Sequence, residues 1–523
     1  MKMRMMWFSC SRAGFVFAAC WLVLPWVACA AQGPGEARAQ ARMEEARRQG
    51  WPELYAFLKP FPKGADLHLH LSGAVYAETL IKEAVADHLC FDTESLSLVT
   101  GKSSAPDCGA GQVEASAALT DPALYRKIVD AISMRDFVPS SGFSGHDQFF
   151  STFLRFSSDS VHKGKWVDEV VTRASGQNEQ YLELMDSPTL SAALALAPSV
   201  HADVSNPANF AAARKEIPQS SIDAAIAKAS KGLDAIDAQR NGMEHCGTPE
   251  ARPGCGVQVR WIVGVLRDLT PAQLFTQTLL GFALAASDPR VVAINYLRAE
   301  DWYGSLVDYH LGMEIVDYCH GLYPRVHIAL HAGELAPGMV PPADMSFHIR
   351  EAVELGHAER IGHGVDVLYE DRPMELLREL AARHIDVEIN LTSNATILGV
   401  KGSDHPLAAY LRAHVPVSLS TDDEGISRID LTHEYVRAVE EQHLTYADLK
   451  RSARNSLEHS FLPGESLWAE PDDYGRAKAA CGASIDAKSE PAAACREFLK
   501  ANEKAAEQWE LERRFARFED GLR

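Results

Sequence analysis

The sequence lacks several motifs that would assign it to common functional classes. It has no Cys-x-x-Cys, so thiolate zinc sites and thioredoxin-like chemistry are not expected. No Gly-x-Gly-x-x-Gly follows any β-like run, which argues against a doubly wound dinucleotide-binding sheet. No Pro-Cys-x-x-Cys is present, which excludes the cytidine-type zinc deaminase fold. Lys and Arg (51) are outnumbered by Asp and Glu (71), so the net charge is −20 and nucleic-acid binding is not expected.

The N-terminus has the pattern of an export signal. Three basic and no acidic residues accompany an apolar run over 13–27, and Ala28-Cys29-Ala30 gives a small-x-small cleavage site. We expect residues 1–30 to be a signal peptide and the mature protein, of net charge −23, to be periplasmic or secreted. A retained membrane anchor is the rival interpretation, but the run is short for a membrane span. A lipoprotein site at Cys29 is a further alternative. No other run is long and apolar enough to span a bilayer, so no membrane contact is expected after cleavage.

Seven of the ten cysteines follow the signal, and six of them form close neighbours in the sequence. We predict three disulfides that close short loops in an oxidising compartment: Cys90–Cys108, Cys246–Cys255 and Cys481–Cys495. Cys319 is left over inside a predicted helix, and we interpret it as a buried free thiol.

The order of predicted elements favours an α/β fold, a (β/α)8 barrel. Eight β-like runs alternate with helical patterns, which indicates parallel βαβ units. The runs cover 64–70, 180–187, 257–266, 290–297, 325–331, 360–362, 385–391 and 415–420.

Around this barrel, assigned to 63–462, we predict helical additions. Insertions are expected near 90–122 and 191–255, with a helical segment at 31–62 and a helical extension at 463–523. One helix is predicted over 36–58, and the chain is expected to be wholly helical after 426. The N-terminal segment is expected either to mediate a homodimer or to cover the bottom of the barrel.

Five candidate metal-binding and catalytic residues stand at the ends of predicted strands. His68 and His70 are two residues apart, so both face the barrel interior. His331, His363 and Asp422 end other strands, and barrel geometry would bring all five around one axis. Three histidines and one carboxylate that leave a position for water are typical of a catalytic zinc site. His327, which precedes His331 on the same strand, is interpreted as a hydrogen-bonded core histidine.

The remaining polar residues suggest hydrolytic chemistry. Zinc lowers the pKa of a water molecule to about 7, which provides a nucleophile at neutral pH. Either His363 or Asp422 could accept the proton of this water. Glu334, three residues after His331, is the candidate acid. Asp423 can accept a hydrogen bond from substrate, although the Asp422-Asp423 pair could instead mark a helix N-terminus.

Four motifs, HLHLSG, HAGE, IGHG and STDD, occur in this order between about Lys63 and Leu462. Together they resemble the adenosine deaminase family of the amidohydrolase superfamily. The exported, growth-factor-related branch of that family is similar in outline. The resemblance implies that His68, His70, His331 and Asp422 bind one zinc ion. The strand before His331 offers no lysine for carbamylation, which supports a single ion.

The same resemblance implies a role for each remaining residue. Glu334 would protonate N1 of a purine, and His363 would orient the attacking hydroxide and take its proton. Asp423 would hydrogen-bond N7, and ammonia would leave from C6. Two positions depart from the family pattern. Ser72 stands where the family carries an Asp that touches the ribose, and Arg298 stands where it places a Gly against purine N3.

The predicted function is therefore zinc-dependent hydrolytic deamination of adenosine or 2′-deoxyadenosine to the inosine product and ammonia. The expected partner is a small purine nucleoside. A barrel metallohydrolase that acts on another 6-aminopurine, or on a non-purine amide or ester, is the alternative enzyme. A catalytically silent extracellular binding protein is the alternative outside enzymes, although all six reactive residues are present.

Overall fold

The structure is a computed structural model that describes residues 33–99, 108–157, 160–482 and 489–522. The expected signal at 1–30 lies outside the described residues, as does part of the insertion near 90–122. Within the described residues, no helix has both the length and the apolar character needed to cross a membrane.

Eight parallel strands form one sheet in sequential order, which confirms the predicted barrel. Each predicted β-like run falls on a strand, with ends that differ by at most three residues. The strands are β1 (Gly64–His70), β2 (Glu179–Asp186), β3 (Gln258–Leu266), β4 (Val291–Leu297), β5 (His327–Ala332), β6 (Arg360–His363), β7 (Asp386–Ile389) and β8 (Val417–Leu419).

The main-chain atoms of Asp422 join the two edges of this sheet. Its N–H donates to the carbonyl oxygen of His68 (2.9 Å), and its own carbonyl accepts from the N–H of His70 (3.0 Å). Leu69 and Asp422 therefore form an isolated parallel β-bridge, and Asp422 lies just after β8. The first and last strands meet at this residue, so the ends of β1 and β8 are held side by side.

Helices cover the outside of the barrel, and most of the core lies between them and the strands. Several begin with strong N-terminal caps, such as the capping boxes at Thr270 and Thr445. The longer helices after β1 and β2 are Ala77–Ala86, Pro122–Ala131, Gly145–Thr152, Lys163–Gly176, Leu190–Leu196, Phe210–Glu216 and Gln219–Glu244. Those after β3 to β8 are Pro271–Ser287, Tyr309–Leu322, His348–Glu354, Pro373–Ala382, Leu391–Ile397, Leu407–Arg412, Leu431–Gln442 and Tyr446–Glu458.

All three predicted disulfides are present. Cys90–Cys108 ties a small antiparallel sheet made of Cys90–Asp92, Leu98–Val99 and Gln112–Glu114. Cys246–Cys255 closes the loop before β3, and Cys481–Cys495 lies in the C-terminal extension. Cys319 is free and buried, which confirms the prediction of a buried free thiol, and burial raises the pKa of this thiol.

Three local predictions are wrong. The helix expected over 36–58 is two helices, Pro34–Gln49 and Trp51–Leu58, because Gly50 lies between them at φ 114°. The chain is not wholly helical after 426, since Trp468–Glu470 and Asp473–Ala477 form an antiparallel hairpin before the helices Ala493–Ala501 and Glu503–Gly521. His327 is not a core residue: its side chain is 46% exposed and pairs with Glu359 at 3.0 Å.

Candidate active site

The candidate residues gather at the carboxyl ends of the barrel strands, where the backbone adopts unusual conformations. Arg298, His363 and Asp422 all have positive φ values, 88°, 71° and 61°, as does Gly333 at 73°. A positive φ costs a non-glycine residue free energy, and such residues cluster at functional sites. Three such residues, with Gly333, follow or end strands at the same face of the barrel, which indicates that this face is the functional one.

Four of the predicted ligands form one cluster. The Nε2 atoms of His68 and His331 lie 3.0 Å apart, and those of His70 and His331 lie 3.2 Å apart. Asp422 Oδ1 is 3.2 Å from His70 Nε2 and 3.6 Å from His68 Nε2. Because all four donor atoms lie within 4.8 Å of one another, they could hold a single metal ion.

Outer hydrogen bonds aim the imidazole lone pairs into this cluster. His68 Nδ1 lies 2.6 Å from Glu388 Oε2, and His331 Nδ1 lies 2.9 Å from Asn295 Oδ1. Since both partners accept hydrogen bonds, each Nδ1 carries the hydrogen and each Nε2 presents a lone pair. Two lone pairs 3.0 Å apart repel each other unless a cation or proton lies between them, so the donor set fits a metal ion.

The electrostatics of the cluster favour a positive charge at the same place. Although burial lowers it, hydrogen bonds to Asp422 and Glu388 raise the pKa of His68 to about 10. Burial and the neighbouring imidazoles lower the pKa of His331 well below its usual value, so this ring is neutral. A metal ion can supply the positive charge that the two carboxylates favour, in place of a proton on His68 Nε2.

Glu388 is itself fixed by a buried arginine, a contact that the sequence analysis did not identify. Arg360, the first residue of β6, donates from Nε to Glu388 Oε1 and from Nη2 to Glu183 Oε2, each at 2.6 Å. The ion pairs Arg360–Glu388 and Arg360–Glu183 are almost completely buried. The orientation of His68 therefore depends on a network that crosses the barrel interior.

Glu334 is buried beside the cluster and is the best-placed acid. The backbone N–H groups of Gly333 and Glu334 donate to the Glu300 carboxylate at 3.0 and 2.7 Å, which fixes the loop after β5. Burial and the nearby Asp422 raise the pKa of Glu334 well above its usual value. Its Oε1 lies 3.7 Å from His363 Nε2. Glu334 can therefore carry a proton at neutral pH next to His363.

His363 is held by a chain of hydrogen bonds that sets its tautomer. The N–H of Leu407 donates to His405 Nδ1 (3.2 Å), so His405 Nε2 carries the hydrogen that faces Asn394 Oδ1 (3.0 Å). Asn394 then donates from Nδ2 to His363 Nδ1 (2.9 Å), which leaves the hydrogen of His363 on Nε2. Burial and the neighbouring His68 lower the pKa of His363 to about 3, so the ring is neutral.

Asp423 presents an unpartnered oxygen to the site. Its side chain is buried, and Oδ1 has no hydrogen-bond partner within the described part of the chain. Burial and the adjacent Asp422 raise the pKa of Asp423 well above its usual value. Gly73 makes room for this side chain, because a Cβ at position 73 would lie 1.5 Å from Asp423 Oδ1.

We expect Gly73→Ala to displace Asp423 and lower kcat/KM by about 10²-fold, since a shift of about 1 Å in an active-site group has this effect. The cluster of metal ligands does not touch position 73, so metal content and Tm should stay close to those of the unaltered protein. Gly232→Ala is the matched control, because a Cβ there would meet nothing within 4 Å. Unaltered kinetics in Gly73→Ala would contradict the placement of Asp423.

The cluster opens into one cavity of about 210 Å³. His70, His331, Glu334, His363, Asp422 and Asp423 line it, and so do Ser72 and Arg298. The apolar part of the lining was not predicted, and it includes Phe149, Phe150, Phe153, Leu154 and Phe156. A larger opening of about 500 Å³ lies near Pro60 and Arg514, but none of the candidate residues lines it.

Comparisons with known proteins give matches to one enzyme family. The family model for adenosine deaminase matches residues 165–468, more than half of the chain. An adenosine deaminase of Yersinia pseudotuberculosis is 40% identical over 148 residues, 28% of this chain and 41% of that protein. One from Escherichia coli is 39% identical over 140 residues, 27% of this chain and 39% of that protein. The aligned region spans about two fifths of the length of these relatives.

A solved structure supports the barrel fold. An amidohydrolase from Burkholderia ambifaria, solved with bound Zn, has a TM-score of 0.51 at 16% identity and covers 90% of this chain and 94% of that one. The likeness to the exported, growth-factor-related branch stays a prediction. The match of the family model, which covers β2 to β8, agrees with the prediction of an aminohydrolase. The chain belongs to the adenosine deaminase family.

Proposed function

We propose that the protein is a zinc-dependent aminohydrolase that deaminates 6-aminopurine nucleosides, with adenosine and 2′-deoxyadenosine as expected substrates. The observation that carries the proposal is the content of one cavity. It holds a four-donor cluster, a buried acid with a raised pKa and an unpartnered carboxyl group. These are the groups needed to activate water, protonate a ring nitrogen and position a purine.

His68, His70, His331 and Asp422 would hold the metal ion. Histidine and carboxylate donors without a thiolate suit zinc, and a similar barrel was solved with bound Zn. The bound ion supplies Lewis-acid activation of water at neutral pH.

Glu334 and Asp423 would act on the purine ring through protons. Glu334 has its pKa raised well above the usual value, so it can donate a proton to N1 and make C6 electrophilic. Asp423 also has a raised pKa, and its protonated form can donate a hydrogen bond. Since purine N7 is an acceptor, the protonated carboxyl group fits N7 better than the accepting role first expected for Asp423.

The tautomer of His363 favours a role in orienting the attacking water. Because its Nδ1 accepts from Asn394, its Nε2–H can donate to the water oxygen. Because Nε2 carries the hydrogen, the neutral ring has no lone pair there with which to accept the water proton. Of the two candidate bases, we therefore propose Asp422 as the acceptor of the water proton, and His363 as the group that orients the water.

Every bond and hydrogen atom of the proposed reaction is accounted for by water, the substrate and these groups. The water oxygen bonds to C6, and the bond between C6 and the exocyclic nitrogen breaks. One water hydrogen ends on the leaving nitrogen, which departs as ammonia. The second replaces the proton that Glu334 gave to N1, so the product is the 6-oxopurine nucleoside.

Export is proposed on two grounds. The leader at 1–30 has the composition of a signal peptide, and three disulfides stabilise peripheral loops. The periplasm or the extracellular space would keep these bonds oxidised. The expected homodimer stays a prediction.

Incubation of the zinc-loaded protein with adenosine, 2′-deoxyadenosine and adenine tests the function. Ammonia release and the change in purine absorbance should appear with a nucleoside, disappear after chelation and return when zinc is added. No reaction with any purine would reject the deaminase proposal. Hydrolysis of an amide or ester instead would favour the alternative metallohydrolase, and tight purine binding without turnover would favour a binding protein.

A further inference from the structure

Arg298 directly follows β4, in a backbone conformation that an arginine adopts at a cost in free energy. Its φ of 88° lies in the region that favours glycine. The buried Arg267 holds this conformation, because its Nε and Nη2 donate to the Arg298 carbonyl at 2.9 and 2.7 Å. Arg267 also donates to the carbonyl of His331 at 3.2 Å, so the same side chain joins Arg298 to the metal-binding strand. A strained backbone conformation that neighbouring residues stabilise beside a cavity indicates a functional role.

The guanidinium of Arg298 is available for a ligand. It donates no hydrogen bond to any described residue, and its closest acidic atom is Asp268 Oδ1, 3.8 Å from Nε. The Trp302 ring centroid lies 5.7 Å away. Arg298 is the one lysine or arginine among the described residues that line the catalytic cavity. Its five N–H donors are therefore not used in hydrogen bonds to described residues.

Four acids also line this cavity, Asp186, Glu334, Asp422 and Asp423, and none of them forms an ion pair with Arg298 within the described residues. Asp186 is neutralised by Lys163, whose Nζ lies 2.8 and 2.7 Å from its two carboxylate oxygens. Ser72 carries no charge, and its hydroxyl makes no hydrogen bond to a described residue. A fork of free N–H donors is suited to a phosphate group, which a guanidinium binds through two parallel hydrogen bonds.

We propose that Arg298 binds the phosphate of a 6-aminopurine nucleotide, so that the site prefers a nucleoside monophosphate to the free nucleoside. This inference rests on the proposed deaminase function and adds the substrate class. The reacting purine is held by Glu334 and Asp423, and the anionic substituent extends to Arg298, which is partly exposed. Arg298 is then a specificity residue, whereas the deamination itself uses the groups described above.

The test compares kcat/KM for adenosine, 5′-AMP and 3′-AMP in the zinc-loaded protein and four variants. A charge-assisted bidentate contact should favour one of the monophosphates by about 10- to 100-fold over adenosine. Arg298→Gln should remove this preference, and Arg298→Lys should keep part of it. Arg325→Gln is the matched control, because Arg325 is exposed and precedes β5, at the opposite end of the barrel. Arg298→Gly, which this backbone accepts without strain, should also lose the preference.

Binding of the unreactive products gives a second measurement. IMP should bind about 10- to 100-fold more tightly than inosine, with a ratio that falls at high salt and is lost in Arg298→Gln. Equal ratios in the unaltered protein and in Arg298→Gln would overturn the inference while leaving the deaminase function intact. Inhibition by inorganic phosphate without any preference for a nucleotide would also overturn it. Absence of turnover with every purine would instead reject the proposed function.

Discussion

Replacing Glu334 with Gln should lower kcat by about 10²- to 10⁴-fold, the range that a positioned general acid contributes. Glutamine fills the same space, but it cannot give a proton to a ring nitrogen. Burial and Asp422 raise the pKa of Glu334, so the unaltered protein holds that proton at neutral pH. Metal content should not change, because Glu334 is not needed for the four-donor cluster.

The raised pKa of Glu334 also determines the direction in which kcat/KM changes with pH. The protonated form of Glu334 is the active one, so kcat/KM should fall as the pH rises through its raised pKa. The residual activity of Glu334→Gln should lack this alkaline decrease. Glu359→Gln is the control, because Glu359 is an exposed acid whose partner is His327. Loss of metal from Glu334→Gln, or a kcat within a factor of two of the unaltered protein, would contradict the assignment.

His331→Ala should abolish both metal binding and turnover. Its Nε2 lies within 3.2 Å of the Nε2 atoms of His68 and His70, so its removal takes away a central donor. Changes in the outer partners of metal ligands typically cost 10–100-fold in affinity, and loss of a direct ligand should cost more. Metal analysis after gel filtration, together with ammonia release, measures the two effects.

His327→Ala is the matched control for this variant. His327 lies on the same strand, β5, four residues earlier, and its exposed side chain pairs with Glu359. It should keep metal content and activity close to those of the unaltered protein. Retained metal in His331→Ala would mean that the cluster is not the metal site. Loss of metal in both variants would mean that the strand, and not the imidazole, is responsible.

The local sequence was sufficient to predict the barrel. Eight β-branched or alternating runs separated by helical patterns each fall on a strand, because a parallel barrel repeats one local unit. The sequence also predicted which residues meet, since every strand of a barrel ends at the same face. His68 is hundreds of residues from His331 and from Asp422, and yet it lies 3.0 Å and 3.6 Å from their donor atoms.

Contacts that depend on three-dimensional neighbours could not be predicted. Glu388 is one of two acids in the buried strand β7, with Asp386, and the presence of polar residues in a buried strand was the only signal for it. Its partner Arg360 comes from another strand, so no spacing in the sequence connects the two. The series of hydrogen bonds from His405 through Asn394 to His363 likewise joins residues whose contact no spacing in the sequence indicates. The C-terminal hairpin at 468–477 was missed because its strands are short and lie in a charged, alanine-rich segment.

The double use of Asp422 has a consequence for the stability of the fold. Its main chain joins β1 to the segment after β8, while its carboxylate belongs to the metal-binding cluster. An ion held there would cross-link the N-terminal and C-terminal strands at the point where the cylinder closes. Metal binding should therefore stabilise the closed barrel, because a ligand that binds only the native state stabilises that state by mass action.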